Sequence, residues 1–197
     1  MFAYCNNSPI ILADSSGKRA TYEAVEWVAK KVIKPVLRWC REKTSQIDGT
    51  ATIGLSFVAS PGFWNYNYQI GISFDFKGNI AIQETIVTGV TTGTPSGTAG
   101  LYGMVTNAPS VQKLDGKGYQ FGGSMNAPSP SGLSAGIGGE FNVIDDGNNY
   151  YYGVTGSLSL ATTPGTEAHV EWGNTRTIAT INIYDIFENT FALLYGG

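Results

Sequence analysis

The sequence predicts a mainly β fold: an antiparallel meander of about eight strands that closes into an up-and-down β-barrel and is preceded by an amphipathic α-helix. Two observations predict this fold. Apolar residues alternate with polar ones from Thr50 to about Trp172, which is the period of a β-strand. Turn motifs interrupt the alternation repeatedly, with no helical stretch between them, so successive strands are expected to run antiparallel. A two-sheet β-sandwich is the alternative architecture.

The individual strands follow from the alternation. It is clearest in NYNYQIGISFDF, where one strand face carries Tyr66, Tyr68, Ile70, Ile72, Phe74 and Phe76. The segments ATIGLSF, NIAIQETIV, GLSAGIGGEFNV and NYYYGVTGSLSL repeat it, and weaker versions lie at 101–105, 119–125 and 168–172. Turn chemistry separates these runs, as in Lys77-Gly78-Asn79 and Asp145-Asp146-Gly147-Asn148. After the strands, TINIYDIFENTFALL is expected to stay a strand through Ile183 and to form a turn or short helix beyond Asp185.

The second face of these strands is unusually poor in charge. Its residues are small and polar, as in Gly71, Ser73, Ser124, Thr155 and Ser157. Alternation of apolar and small polar residues in strands of about ten residues is typical of a lipid-facing barrel, whose apolar side meets acyl chains. The same alternation fits a soluble barrel with an apolar interior, or a sheet whose polar face is covered by the helix. The pattern leaves these alternatives open.

The helix is predicted over residues 20–44, where apolar residues recur at three- and four-residue spacing. Pro35 is expected to kink it or to split it after Ile33. Acidic residues come first and basic residues follow, which complements the helix dipole. The basic half is either a solvated face or a contact for a membrane or an acidic partner. Its candidate contact residues are Lys30, Lys31, Lys34, Arg38 and Arg41.

Composition excludes several classes of protein. Charged residues make up 14% of the 197 residues, against roughly 25% in an ordinary soluble domain. The net charge of -3 gives no electrostatic footprint for nucleic acid, so no nucleic-acid partner is expected. Cys5 and Cys40 are too few for a disulfide scaffold. The first residues lack the pattern of a signal peptide, and no apolar run approaches the roughly 20 residues of a transmembrane helix.

One group of residues is a candidate for catalytic chemistry. The single histidine, His169, shares a strand face with Glu171, and Glu167 lies beside them. A histidine with a carboxylate on the same face can act as a general acid–base pair, and Glu140 is a further candidate acid. A structural pair of polar side chains explains the pattern equally well. One histidine and two distant cysteines give no metal-ligand spacing, so no metal and no cofactor are predicted.

The first residues carry the one resemblance to a known family. MFAYCNNSPIILADSSG is similar to the closing signature of the core of RHS/YD-repeat proteins. Phe2 and Tyr4 fill its aromatic positions, and Asn7 and Pro9 match its N-x-P pair. Asp14 and Gly17 match its acidic and glycine positions. In the family, this region is associated with release of the C-terminal segment. Ser15 stands where the family usually has proline.

The resemblance implies a domain organisation and a context. It implies that residues 1–19 are the end of an RHS-type core or linker, followed by the helix at 20–44 and a barrel-like effector domain at 50–197. In that family the segment after the signature is a variable effector, commonly a polymorphic toxin of interbacterial competition with a cognate immunity protein. Its partners are then that immunity protein, the RHS carrier and a lipid membrane. The effector is expected to be secreted or delivered into a target cell within a larger exported protein.

Three functions fit these expectations. The first is a non-enzymatic, membrane-active toxin that forms pores or permeabilises, which the low charge and the strict alternation favour. The second is an enzymatic toxin of hydrolase or nuclease type that uses His169 and nearby acids, including Asp75. The third is a module that binds a ligand or partner without toxicity.

Overall fold

The computed structural model describes residues 48–130 and 132–195, together with isolated positions between 27 and 42. The described chain is dominated by eight strands that form one closed antiparallel barrel, as predicted. The strands are β1 (Thr50–Ser60), β2 (Trp64–Asp75), β3 (Asn79–Thr91), β4 (Ser96–Thr106), β5 (Gly116–Pro128), β6 (Ser134–Asp145), β7 (Tyr150–Ala161) and β8 (Gly165–Asn182). A helix, α1 (Ile183–Tyr195), follows directly, so the predicted change from strand to helix comes about two residues earlier than expected.

The order of the strands differs from the predicted meander. Around the barrel the order is β4-β1-β2-β3-β8-β5-β6-β7, with β7 pairing β4 to close it. Two three-stranded meanders, β1 to β3 and β5 to β7, are therefore present, but β4 returns to pair with β1 and β8 returns to pair with β5. Each set of four strands has the order of a Greek key. The up-and-down order was wrong because alternation and turn motifs identify strands without identifying their partners.

The apolar residues face outward. A row of paired residues crosses five neighbouring strands on the outer surface and consists of Leu55, Leu101, Leu158, Ile137 and Met125. Each of these side chains is exposed, while residues that alternate with them in sequence, such as Ser56 and Thr155, are buried in the lumen. The interpretation as a barrel with an apolar interior was therefore wrong. The two arrangements have the same period-two pattern, and only the direction in which the sheet curls separates them.

The two ends of the barrel differ. We call the end where β1 begins and β8 ends the terminal end, and the opposite end the loop end. Residues 107–115 cross the terminal end between β4 and β5 and contain a short 3₁₀ turn, Val111–Leu114. Leu114 and Ala108 are buried against Ile144 of β6, and the amide of Val111 donates to Asp75 at the end of β2. This segment plugs the terminal end with a small apolar core.

Two crossing connections bridge the loop end. Residues 92–95 join β3 to β4, and residues 162–164 join β7 to β8, although neither pair of strands is adjacent in the barrel. The two connections lie side by side, since the hydroxyl of Thr163 donates to the carbonyl of Pro95 at 3.0 Å. The amide of Thr92 also donates to the carbonyl of Ala168 at 2.9 Å. Both ends of the lumen are therefore covered by chain.

The predicted helix at 20–44 falls mostly outside the described residues. The positions that are described there are exposed, and positions 27, 34, 35, 38, 39 and 42 have α-helical backbone, Pro35 included. The chain divides into two compact units, one of which comprises Ser45–Ile183 and is the barrel. The other unit includes Tyr184–Gly197. No helix in the described part of the chain is long and apolar enough to cross a membrane.

Candidate functional site

The candidate site is a cluster of buried polar side chains in the half of the lumen nearest the loop end. The pleat of β8 points Glu167, His169 and Glu171 inward, because they lie two residues apart on one face. Glu140 joins them from β6, which is separated from β8 by β5. One imidazole is therefore surrounded by three carboxyl groups inside a closed barrel.

His169 lies between two of these carboxyl groups. Its Nε2 is 3.5 Å from Oε1 of Glu140, and its Nδ1 is 3.5 Å from Oε1 of Glu167. Both contacts are within ion-pair distance, but neither has the geometry of a hydrogen bond. The histidine is only 8% exposed, so its neighbours define its electrostatic environment more than solvent does.

Glu171 is fully buried and is held by β2. The side-chain amide of Asn65 donates to Oε1 of Glu171, and the amide of Asn67 donates to Oε2 at 3.3 Å. The hydroxyl of Ser60 in turn donates to Oδ1 of Asn65 at 2.6 Å. Amide donors are the partners that allow a buried carboxyl group to stay in a folded interior, so this network is part of the packing of the barrel.

Glu167 is the member of the cluster nearest the loop end. Its Oε1 accepts from the hydroxyl of Ser124 at 3.1 Å, and its Oε2 accepts from the hydroxyl of Thr91 at 3.2 Å. The cluster thus joins side chains of β2, β3, β5, β6 and β8 across the lumen. Polar side chains take the place that apolar packing has in an ordinary core.

The described residues line two small cavities along the lumen. The one lined by the cluster has a volume of about 40 Å³, and the one towards the terminal end has a volume of about 30 Å³. Tyr102 and Gln69 line both cavities and form the partition between them. Each cavity has room for water but not for a metabolite, which fits the rule that eight strands leave an interior just wide enough for side chains.

The structure brings the predicted catalytic candidates His169, Glu171 and Glu140 together, although Glu140 was not linked to the others by sequence spacing. Asp75 lies instead at the terminal end, where its carboxylate accepts from the amides of Lys77 and Asn79. It builds the β2–β3 turn and is remote from the cluster.

The single arginine of β8 and the remaining predicted residues lie elsewhere. Arg176 points outward and binds Glu84 of β3, with 2.6 Å between Nη2 and Oε1. The candidate contact residues Lys30, Lys31, Lys34 and Arg38 are exposed. Arg41 and the processing residues Asp14 and Gly17 lie outside the described residues.

Sequence reasoning missed the residues that complete the cluster. Asn65, Asn67 and Gln69 alternate with the outward tyrosines of β2, and Tyr102 stands among glycines in β4. The size of these side chains is the sequence feature that could have identified them, because long side chains on an otherwise small polar face must fill the lumen. The apolar residues of the plug, Val111 and Leu114, were a second such signal within a polar loop.

The cluster contains the side chains of an acid–base site, but it lacks the space through which a substrate would reach them. In the described ranges no group of three or more His, Cys, Asp and Glu residues is placed to hold a metal ion. A substrate larger than a few waters does not fit the 40 Å³ cavity, so the arrangement can order water, hold protons or bind the strands together. Comparison of the chain with protein-family models, with curated proteins and with solved structures finds no match. The fold and the site define a closed antiparallel barrel with an apolar exterior and a polar, filled lumen.

Proposed function

We propose that this protein is the membrane-active, non-enzymatic effector domain of an RHS-repeat polymorphic toxin, and that its barrel inserts into the lipid bilayer of a target cell. The observation that carries the proposal is the apolar outer surface of the closed barrel. Side chains such as Ile53, Leu101 and Leu158 are 55–63% exposed. A surface of this kind is stable against acyl chains and costly in water.

The length of the strands and the aromatic residues support a bilayer as the partner. The strands from β1 to β7 have 11–13 residues, and a tilted strand that spans a bilayer needs about 9–11. Exposed aromatic residues lie near both ends, with Phe63 and Trp64 at the loop end and Tyr119, Tyr150 and Tyr152 towards the terminal end. Aromatic side chains of this type favour the membrane–water interface.

The filled lumen limits what such a barrel passes. Cavities of about 40 and 30 Å³, separated by Tyr102 and Gln69, admit water-sized species at most. We therefore expect permeabilisation to protons and small ions, with larger solutes retained. The resemblance of residues 2–17 to the RHS signature supports delivery as part of a larger exported protein, with the carrier and a cognate immunity protein as partners.

Flotation with liposomes tests the proposal. The protein is expected to float with vesicles, to dissipate a proton gradient reported by an internal pH dye, and to leave a trapped carboxyfluorescein-type dye inside. Leu101→Arg, at the central position of β4 on the outer surface, is expected to reduce flotation, because an arginine at the bilayer midplane costs about 2–4 kcal/mol. Asn148→Arg, in the exposed β6–β7 turn, introduces the same charge as a matched control and is expected to float like the parent protein.

The other outcomes distinguish the alternatives. A protein that stays in the aqueous fraction contradicts the membrane proposal. Flotation without any leak indicates a membrane-bound binding module. The second candidate function is an enzymatic toxin, which the proximity of His169 to Glu140 and Glu171 favours. That candidate requires His169→Gln to abolish toxicity in cells while flotation and leak are unchanged.

A further inference from the structure

The charges of the barrel loops are confined to one end. The connections at the loop end are residues 61–63, 92–95, 129–133 and 162–164, and none contains Asp, Glu, Lys or Arg. They are three to five residues long and include the apolar side chains of Phe63 and Leu133. Moving a segment without charged residues through a bilayer costs less free energy than moving a charged one.

The terminal end is charged throughout. Its connections contain Lys77, Lys113, Asp115 and Asp146, and the barrel begins just after Asp48. Lys113 binds Asp146 at 2.7 Å, and Lys77 lies 3.6 Å from Asp48. This network keeps the terminal end polar and ties the plug segment 107–115 to the β6–β7 turn.

Several backbone amides at the loop end are hydrogen-bonded within the protein. The amide of Gly62 donates to Ser60, that of Thr91 to Phe63, and that of Thr162 to Gly97, all to carbonyl oxygens at 2.9–3.0 Å. Backbone groups without partners are expensive in an apolar medium, so internal pairing lowers the cost of moving these connections through lipid.

The charged residues in the loop-end half do not oppose this movement. Glu140, Glu167, His169 and Glu171 face the lumen, where the strands shield them from the surroundings of the barrel. They cross with the barrel and do not touch acyl chains. The outward ion pair of Glu84 and Arg176 lies nearer the middle of its strands and is internally compensated.

We infer that the loop end is the surface that meets the bilayer first and crosses it, while the terminal end remains on the side from which the protein arrives. The partner of the loop end is the apolar interior of a lipid bilayer. This inference rests on the proposed function and adds a direction to it. Because residues before Asp48 join the barrel at the terminal end, they stay on the side of arrival, which is where an attached carrier is.

Labelling of single cysteines tests the direction. Thr94→Cys at the loop end and Asn148→Cys at the terminal end, both exposed, are made in a chain whose Cys5 and Cys40 are replaced by serine. Each protein is added to preformed phosphatidylethanolamine–phosphatidylglycerol vesicles, floated and treated with a membrane-impermeant maleimide. The Asn148→Cys protein is expected to react in intact vesicles, and the Thr94→Cys protein only after detergent is added.

Every other pattern overturns the inference. Reaction of both variants in intact vesicles contradicts the direction while leaving the membrane proposal intact. Protection of Asn148→Cys together with reaction of Thr94→Cys does the same. Absence of flotation contradicts the proposed function, and the direction falls with it. The two failures are therefore distinguishable in one experiment.

A charge placed at either end gives a second measurement. Thr94→Lys is expected to lower the rate of insertion by about tenfold or more, because a lysine must then cross the bilayer. Asn148→Lys adds the same charge at the terminal end and is expected to leave the rate unchanged. Thr94→Ser controls for loss of the threonine, and tryptophan fluorescence in detergent checks that all three variants fold. Equal rates for the two lysine variants overturn the inference.

Discussion

The phenolic oxygen of Tyr102 on β4 lies over Gly71 on β2, two strands away, where a methyl group in place of the glycine hydrogen would be only 2.6 Å from it. Gly54 of the intervening strand β1 leaves the same space beneath the ring. Tyr102 therefore reaches across the lumen because two paired strands carry no side chain at that level. This contact positions the partition between the two lumen cavities.

Gly71→Ala is expected to destabilise the barrel by about 1–3 kcal/mol, because the new methyl group displaces the Tyr102 ring from a filled interior. Urea unfolding of the protein in detergent micelles measures the change. Gly156→Ala is the matched control, since Gly156 faces outward and no atom lies within 4 Å of an added methyl group. A change within about 0.5 kcal/mol is expected there, and equal losses for the two variants would contradict the steric argument.

Glu171 is expected to stabilise the fold through its amide partners. Glu171→Leu leaves Asn65 and Asn67 with buried donors that lack an acceptor, which costs about 1–3 kcal/mol. Glu171→Gln keeps one acceptor oxygen and is expected to lose less. The same unfolding measurement compares the two variants. A glutamine variant as unstable as the leucine variant would show that the charge, and not the hydrogen bonding, is what the barrel needs.

The outward ion pair predicts a non-additive effect on membrane binding. Glu84→Leu alone leaves Arg176 unpaired on a lipid-facing surface and is expected to weaken partitioning into vesicles by about 2–4 kcal/mol. Arg176→Leu leaves Glu84 unpaired and is expected to weaken partitioning by a smaller amount, because an unpaired carboxylate on the lipid face costs less than an arginine. The double variant is expected to partition within about 1 kcal/mol of the parent protein. Additive losses in this double-mutant cycle would place the pair in water instead of lipid.

The plug segment has a pH window set by one ion pair. Lys113 donates to Asp146, and the backbone amides of Asn148 and Asn149 also donate to it, which together lower the pKa of Asp146 to about 2. The same contact raises the pKa of Lys113. Because the aspartate pKa is depressed on folding, its contribution is present above about pH 4 and is lost as the pH falls towards 2.

The lysine sets the other limit of that window. Because its pKa is raised, its contribution is complete below about pH 10 and is lost as the pH rises through the folded-state value. Carbon-detected NMR titration of the Asp146 carboxyl group measures the lower limit. Lys113→Met is expected to return the pKa of Asp146 towards the ordinary value, and a titration unchanged in that variant would contradict the assignment of its main cause.

Much of the barrel could be predicted from the sequence, and part of the site could as well. Period-two alternation and turn motifs identify eight strands, because both are local properties of the chain. The shared face of His169 and Glu171 follows from their spacing on β8 for the same reason. Glu140 and Asn65 join them only through strand pairing, which no local pattern records.

The sequence by itself determined the strands, the small polar face opposite the apolar one, and the loops without charge. The tertiary structure decided which face is outside, that the strands follow two Greek keys, and that Arg176 points away from His169. The physical reason is that alternation fixes the two faces of a strand relative to each other. The curl of the sheet and the choice of partner strands depend on contacts between residues far apart in the chain.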